Sequence, residues 1–230
     1  MILLNAIRRF DIGCGALFVI ILAGCGKPNP PPLGTTPPIT RPEPASTSHP
    51  TTGNLKATVK FKDAAGQEAF SLKPKEDGAK LVDGQEQELA RFNVSGDKLK
   101  IKDAQDQVLG YIVGSAGKYH VKDPTQETIW YEIQRQEDGD WKVEDGQEKL
   151  IYKIKRRDYG FEIEDDAETS IYKIKLKDGK LSLRNANDES IYYTHDPLPT
   201  LALVALGLNR IESLPLRSGI MAKLALDNAQ

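Results

Sequence analysis

The chain is poor in the side chains from which reactive centres are built. Its 230 residues include two cysteines and three histidines. The cysteines, Cys14 and Cys25, both stand near the start. Beyond them, thiolate zinc sites and Cys/His nucleophile pairs are excluded. His120 follows Tyr119 at the polar phase of a strand pattern and reads as an exposed strand residue. His195 lies just before Asp196-Pro197, and His49 falls in a proline-rich stretch where no ligand role is expected. No Gly-x-Ser-x-Gly elbow is present to hold a serine nucleophile. The sequence therefore points away from an enzyme, and no cofactor or metal is expected. A surplus of one charge is also lacking: 31 basic residues face 33 acidic ones, a net charge of −2. That balance gives no reason to expect nucleic acid as a partner. Long apolar runs are missing too. The two apolar stretches, residues 12–22 and 198–208, each cover about eleven residues, against the ~20 that a membrane-spanning helix needs.

What the chain has is a period. Asp63, Asp83, Asp103, Asp123, Asp145, Asp165 and Asn185 follow one another in steps of 20, 20, 20, 22, 20 and 20 residues, which marks an array of one small unit. Two and four residues before each anchor sits an alternating apolar pair: Val59/Phe61, Ala79/Leu81, Leu99/Ile101, Tyr119/Val121, Trp141/Val143, Phe161/Ile163 and Leu181/Leu183. Alternation with period two is the strand signature. The Asp or Asn opens a turn, because its side chain bonds nearby backbone amides. A second apolar stretch follows, as in Phe70-Ser71-Leu72, Tyr152-Lys153-Ile154 and Tyr172-Lys173-Ile174. Most units close at a glycine or a charged cluster, with glycines at 78, 96, 117, 139, 160 and 179. Each unit is thus predicted to be a β-hairpin, seven of them giving about fourteen short antiparallel strands.

The two ends depart from this pattern. Arg8 and Arg9 precede the apolar run 12–22, which leads into Leu22-Ala23-Gly24-Cys25. This order resembles the signal peptide and lipobox of bacterial lipoproteins. The resemblance implies cleavage after residue 24, lipidation of Cys25 (palmitate among the acyl chains) and stable anchoring through more than one chain. With Gly26 rather than Asp after the cysteine, it implies the outer membrane of a Gram-negative cell envelope. Removing Arg8, Arg9 and Asp11 with the leader leaves 29 basic and 32 acidic residues. Residues 25–54 form a linker holding nine of the fourteen prolines, a composition that stays extended and reaches at most about 90 Å. At the other end, residues 198–208 are apolar nearly all round, and a second helical stretch covers 216–226. An apolar helix too short for a bilayer must be buried, so 198–208 is expected to be a continuous helix enclosed by the sheet.

A meander of this length leaves two raw edges unless it closes. Hairpin repeats followed by Asp196-Pro197 and an apolar helix resemble the tubby C-terminal-like superfamily, which includes the LURP-one-related proteins and the phospholipid scramblases. The resemblance covers roughly residues 55–226. It implies a closed barrel of about twelve strands around a C-terminal helix, which leaves the first hairpin outside. It also implies a membrane-associated binding or structural module, with phospholipid handling as the alternative. Some members hold anionic lipid heads with basic residues. Here Lys153, Lys155, Arg156, Lys173, Lys175 and Lys177 would form such a strip if the hairpins stack in order. Glu144, Glu162 and Glu164 on neighbouring strands equally suit cross-strand pairing on a solvated face. The acidic turn Asn185-Ala186-Asn187-Asp188-Glu189 lacks the central glycine and flanking helices of a calcium loop.

The expected organisation is a leader (1–24), a lipidated cysteine with its linker (25–54) and a mainly β barrel domain (55–226). The partners expected are the membrane, through the lipid, and an envelope lipid or protein.

Overall fold

In a computed structural model, residues 55–228 are described; Cys25 and the linker lie outside them. Fourteen strands run in sequence order: β1 (Val59–Asp63), β2 (Glu68–Lys75), β3 (Gly78–Asp83), β4 (Glu88–Ser95), β5 (Lys98–Asp103), β6 (Val108–Ser115), β7 (Lys118–Lys122), β8 (Ile129–Arg135), β9 (Trp141–Asp145), β10 (Leu150–Arg157), β11 (Gly160–Asp165), β12 (Ser170–Lys177), β13 (Lys180–Asn185) and β14 (Ser190–Thr194). Each pairs antiparallel with its neighbours, and β1 pairs with β14, so the sheet is a closed barrel. The first hairpin is part of the wall, giving two strands more than the twelve that the resemblance implies. The closing seam is short, with Lys62 opposite Tyr193 and Asp63 opposite Tyr192. The Asp196 carboxylate extends it by accepting from the Lys60 amide at 2.7 Å.

The anchors act as the sequence suggests. In four of the seven turns one carboxylate oxygen accepts two backbone N–H groups, two and four residues on: Asp83, Asp103, Asp145 and Asp165. Asp63 and Asn185 accept from the amide four residues on. Asp123 reaches Thr128, one residue further, across the turn that carries Pro124. The third residue after each anchor is left-handed, with φ from +62° to +82°. That residue is glycine only at Gly66. Elsewhere it is Glu86, Asp106, Gln126, Glu148, Glu168 or Asp188. A type I turn followed by a left-handed residue is the three-residue hairpin connection. At the opposite end of the barrel, two-residue turns such as Asp178-Gly179, with φ +51° and +72°, reverse the chain.

Each anchor hairpin also carries one bulge, the register shifting at the same place in all seven. The residues skipped are Ala69, Leu89, Leu109, Trp130, Ile151, Ile171 and Ile191. All are apolar and pack against the core. A bulge adds twist and bend to a strand, and seven in one ring supply the curvature that closure requires.

Thirteen of the fourteen predicted inward residues on the odd-numbered strands are buried; Phe161, at the rim, is half-buried. The interior is filled by the C-terminal segment, but not by one continuous helix over 198–208. A single turn, α1 (Thr200–Leu203), passes into a 3-10 turn over Val204–Gly207. The long element is α2 (Leu214–Asp227), fourteen residues capped by Ser213, whose hydroxyl accepts from the Leu216 amide. The chain reverses between them at residues 208–213, near the anchor turns. There Tyr152 and Tyr172 hydroxyls bind Asn209, the Tyr152 hydroxyl accepts from the Arg210 amide, and Asp166 pairs with Arg210. A single helix would have put the chain's exit at one wall. Two antiparallel pieces instead lean on opposite walls, α1 on β11–β13 and α2 on β3–β6. Gly207 and Gly219 permit the close approach. A Cβ at Gly207 would lie 2.5 Å from Ile163 Cδ1, and one at Gly219 2.4 Å from Ile101 Cδ1. The Arg217 guanidinium joins the two pieces by donating to the Leu206 carbonyl at 2.9 Å.

Candidate functional site

With the interior occupied, surface chemistry divides among the outer wall and the two rims. Outward positions along the wall are largely charged, the reverse of the apolar band of a membrane-spanning barrel. No described helix is long and apolar enough to cross a membrane.

The predicted basic strip lies on β10 and β12, with β11 between them. Lys155 stands opposite Glu162, Lys153 opposite Glu164, and Glu162 opposite Lys173. Side chains pair diagonally as well: Lys155 with Glu164 at 2.8 Å, Lys153 with Glu168, Arg157 with Glu162 at 2.9 Å, and Lys175 with Asp188 at 2.7 Å. A hydrogen bond from Ser170, then the Arg157 guanidinium, hold the Glu162 carboxyl below its usual range. Lys153 does the same for Glu168, and Lys175 with Arg184 for Asp188. Lys153, Lys155, Lys173 and Lys175 thus belong to a lattice of opposite charges. Lys177 sits at the end of β12 opposite Lys180. Arg156 leaves the strip altogether and lines a cavity at the glycine-turn rim.

That rim cavity, about 470 Å³, has Trp141, Phe161, Leu176 and Leu201 beside Arg135 and Arg156. Leu176, 54% exposed, is the most exposed large apolar side chain among the described residues. Next to it, sharing Pro199, is an apolar groove of about 380 Å³ lined by Leu55, Ala57, Pro197, Leu198, Ala225 and Leu226. Inside the same end lies a buried polar group. Lys223, 2% exposed, pairs with Asp227 at 2.9 Å, with its ammonium 5.9 Å from the Tyr119 ring centre. Burial, then the Asp227 charge, push the Tyr119 phenol far above its usual range.

The other sequence candidates have structural partners. His120 Nε2 is 2.9 Å from Glu132, which also pairs with Lys118. His195 packs edge-on against Tyr193. In the acidic turn at 185–189, the Asn185 amide group donates to Glu189, while Asp188 pairs with Lys175 and Arg184. Among the described residues no three His, Cys, Asp or Glu side chains come together to hold a metal ion.

Sequence reading missed a basic surface on β3–β7. Lys80, Arg91 and Lys102 stand directly opposite one another on three successive strands. One step along, Lys100, Tyr111 and Lys122 do the same. The signal was present as Lys98-Leu99-Lys100-Ile101-Lys102, the one anchor strand with lysine at all three outward positions.

No known family matches this chain, and no curated protein matches it. Among solved structures, a protein from Arabidopsis thaliana is similar at a TM-score of 0.36 and 11% identity, over 68% of this chain and 93% of that one. So weak a likeness carries no argument about the site.

Proposed function

We propose that this chain is a lipid-anchored protein of the bacterial cell envelope whose barrel is a non-catalytic binding or structural module. The observation that carries the reading is the occupied interior. Leu203 and Met221 are fully buried, and Leu206 and Ile220 nearly so, so the barrel encloses its own helices rather than a lumen for a passing substrate. Its working surfaces are then the wall and the rims. Anchoring rests on the sequence: the lipobox ending at Cys25 and the proline-rich linker that would hold the barrel off an outer membrane. Membership of the tubby-like superfamily belongs to the same proposal. A closed antiparallel barrel around an apolar C-terminal segment supports it, while the fourteen strands depart from its pattern. A second reading, phospholipid handling, is favoured by the apolar rim groove at Leu198 and Leu226, next to Arg135 and Arg156.

Replacing Cys25 with Ser in the producing cell tests the anchor. Labelling by a fatty-acid analogue should disappear, and the protein should leave the membrane fraction. Retention of the unlabelled protein in membranes would sink the anchored reading. Cross-linking in intact envelopes, followed by recovery of the barrel, then distinguishes a protein partner from bound lipid.

A further inference from the structure

On the basic surface of β5–β7, two ammonium groups without counter-charges among the described residues stand side by side. Lys98 and Lys100 both sit over the Tyr111 ring, at 5.5 and 5.7 Å from its centre. Two cations that share one ring repel each other, and among the described residues neither has a carboxylate within ion-pairing distance. Lys98 donates to the neutral Gln126 side chain. Lys122, opposite Tyr111 on β7, likewise has no acidic partner among the described residues. Lys102 shares Asp106 with Arg91, at 3.4 Å. Lys98, Lys100, Lys102 and Tyr111 line a groove of about 440 Å³, whose lining adds Asn93, Ser95 and Gln126 and contains no carboxylate.

The repeat supplies its own control. In the last hairpin Lys180, Ser182, Arg184 and Tyr193 occupy the positions of Lys98, Lys100, Lys102 and Tyr111. Lys180 there lies 3.8 Å from the Tyr193 ring centre. That groove, however, is lined by Asp178 and Asp188, and Asp188 pairs with Arg184 and Lys175. In the β5–β6 hairpin Asp106 takes the place of Asp188 and pairs with Arg91 and Lys102, so the two copies differ at Asp178, whose place beside Lys98 is taken by Gly96. Like charges set side by side on a sheet face are destabilising. An anion bridging them removes that repulsion and gains charge-assisted hydrogen bonds.

We propose that the groove at Lys98, Lys100 and Lys102 is a binding site for a phosphate-ester group. A tetrahedral dianion can accept from two ammonium groups at once and still reach the Ser95 hydroxyl, whereas a single carboxylate brings one charge; the Asn93 amide is already taken by Asp77. The inference rests on the reading that the outer wall is a working surface, and it is independent of the anchor at Cys25.

The test uses the full chain carrying Cys25→Ser, so that an acyl anchor cannot cause membrane binding. Calorimetric titration with inorganic phosphate and glucose 6-phosphate examines a free ligand. Flotation with phosphatidylcholine vesicles, with and without phosphatidate, examines a surface-borne one. Saturable binding in either arm is expected, and the arm that responds tells the source. Lys98→Gln and Lys100→Gln should each weaken it roughly tenfold, and added salt should weaken it further. Lys180→Gln should leave it unchanged, and thermal midpoints should stay the same for all three. Absence of saturable binding in both arms overturns the proposal. So does binding that Lys100→Gln leaves intact, or that Lys180→Gln weakens equally.

Discussion

At the residue scale, this fold places demanding backbone on ordinary side chains. Six of the seven anchor turns put a non-glycine residue at φ near +65°, a conformation that costs such residues roughly 1 kcal/mol relative to glycine. Four of these six hold an ion pair on the wall: Glu86 with Lys73, Asp106 with Arg91, Glu168 with Lys153 and Asp188 with Lys175. Glu148 forms no such pair among the described residues, so its side chain offsets nothing. Glu148→Gly should therefore raise the thermal midpoint by a few degrees, about 2–4 °C for 1 kcal/mol in a domain of this size, as read by calorimetry. Gly219 presents the opposite case. Alanine improves helix propensity by up to about 1 kcal/mol, but its Cβ would meet Ile101 Cδ1 at 2.4 Å and Cγ1 at 2.9 Å. Overpacking a closed core costs roughly 1–3 kcal/mol, so the clash should win. Gly219→Ala is expected to lower the urea midpoint; a rise would place α2 further from β5.

At the element scale, alternation and turn chemistry made every strand legible, because both are local. The anchor's carboxylate binds amides two and four residues away, and a strand's inward face repeats every second residue. The ring of bulges was legible in principle. Consecutive apolar residues recur at Ala69-Phe70, Leu89-Ala90, Trp130-Tyr131, Ile151-Tyr152, Ile171-Tyr172 and Ile191-Tyr192, where strict alternation would place a polar one. The helical segment was legible only as buried and apolar. Its turn at 208–213 follows from the space inside, which receives two short antiparallel pieces joined by Arg217 and the Leu206 carbonyl. The buried position of Leu203 is what a mutation tests. Leu203→Asp puts an unpaired charge into a closed core, a cost comparable to the whole net stability of about 5–15 kcal/mol, and should give an unfolded or degraded domain. Lys153→Ala removes a solvent-exposed pair worth at most about 1 kcal/mol and should leave the midpoint nearly unchanged. Equal midpoints for both variants would put residue 203 outside the core.

At the scale of the whole molecule, charge forms a lattice around an apolar interior, and the lattice sets the response to pH. Glu132, Glu162, Glu168, Asp166 and Asp188 are held below their usual range, chiefly by hydrogen bonds from Lys118, Ser170, Lys153, Arg210 and Lys175 respectively. A carboxylate with a depressed folded-state pKa contributes stability that is present above its unfolded value, near 4, and lost as pH falls through the folded one. Lys155, raised by Glu164, loses its contribution only at the alkaline extreme, as pH climbs through the folded value. Urea midpoints should therefore be flat from about pH 5 to 9 and decline below about pH 4. A maximum near pH 4 would contradict this balance.

The sequence by itself determined the repeating hairpin, the position of its turns and the identity of the inward face, since each depends on residues within about twenty positions of one another. It also determined which segment must be hidden, because no short apolar run can stay in water. The tertiary structure alone decided how many strands the wall holds, since closure depends on β1 meeting β14 from opposite ends of the repeat. It alone decided which charges find partners. Lys153 and Lys155 acquired carboxylates across strand register, while Lys98 and Lys100 met Tyr111 and, for Lys98, the neutral Gln126. Register is a property of paired strands, and a pattern common to all seven units cannot reveal which lysine is left without a counter-charge.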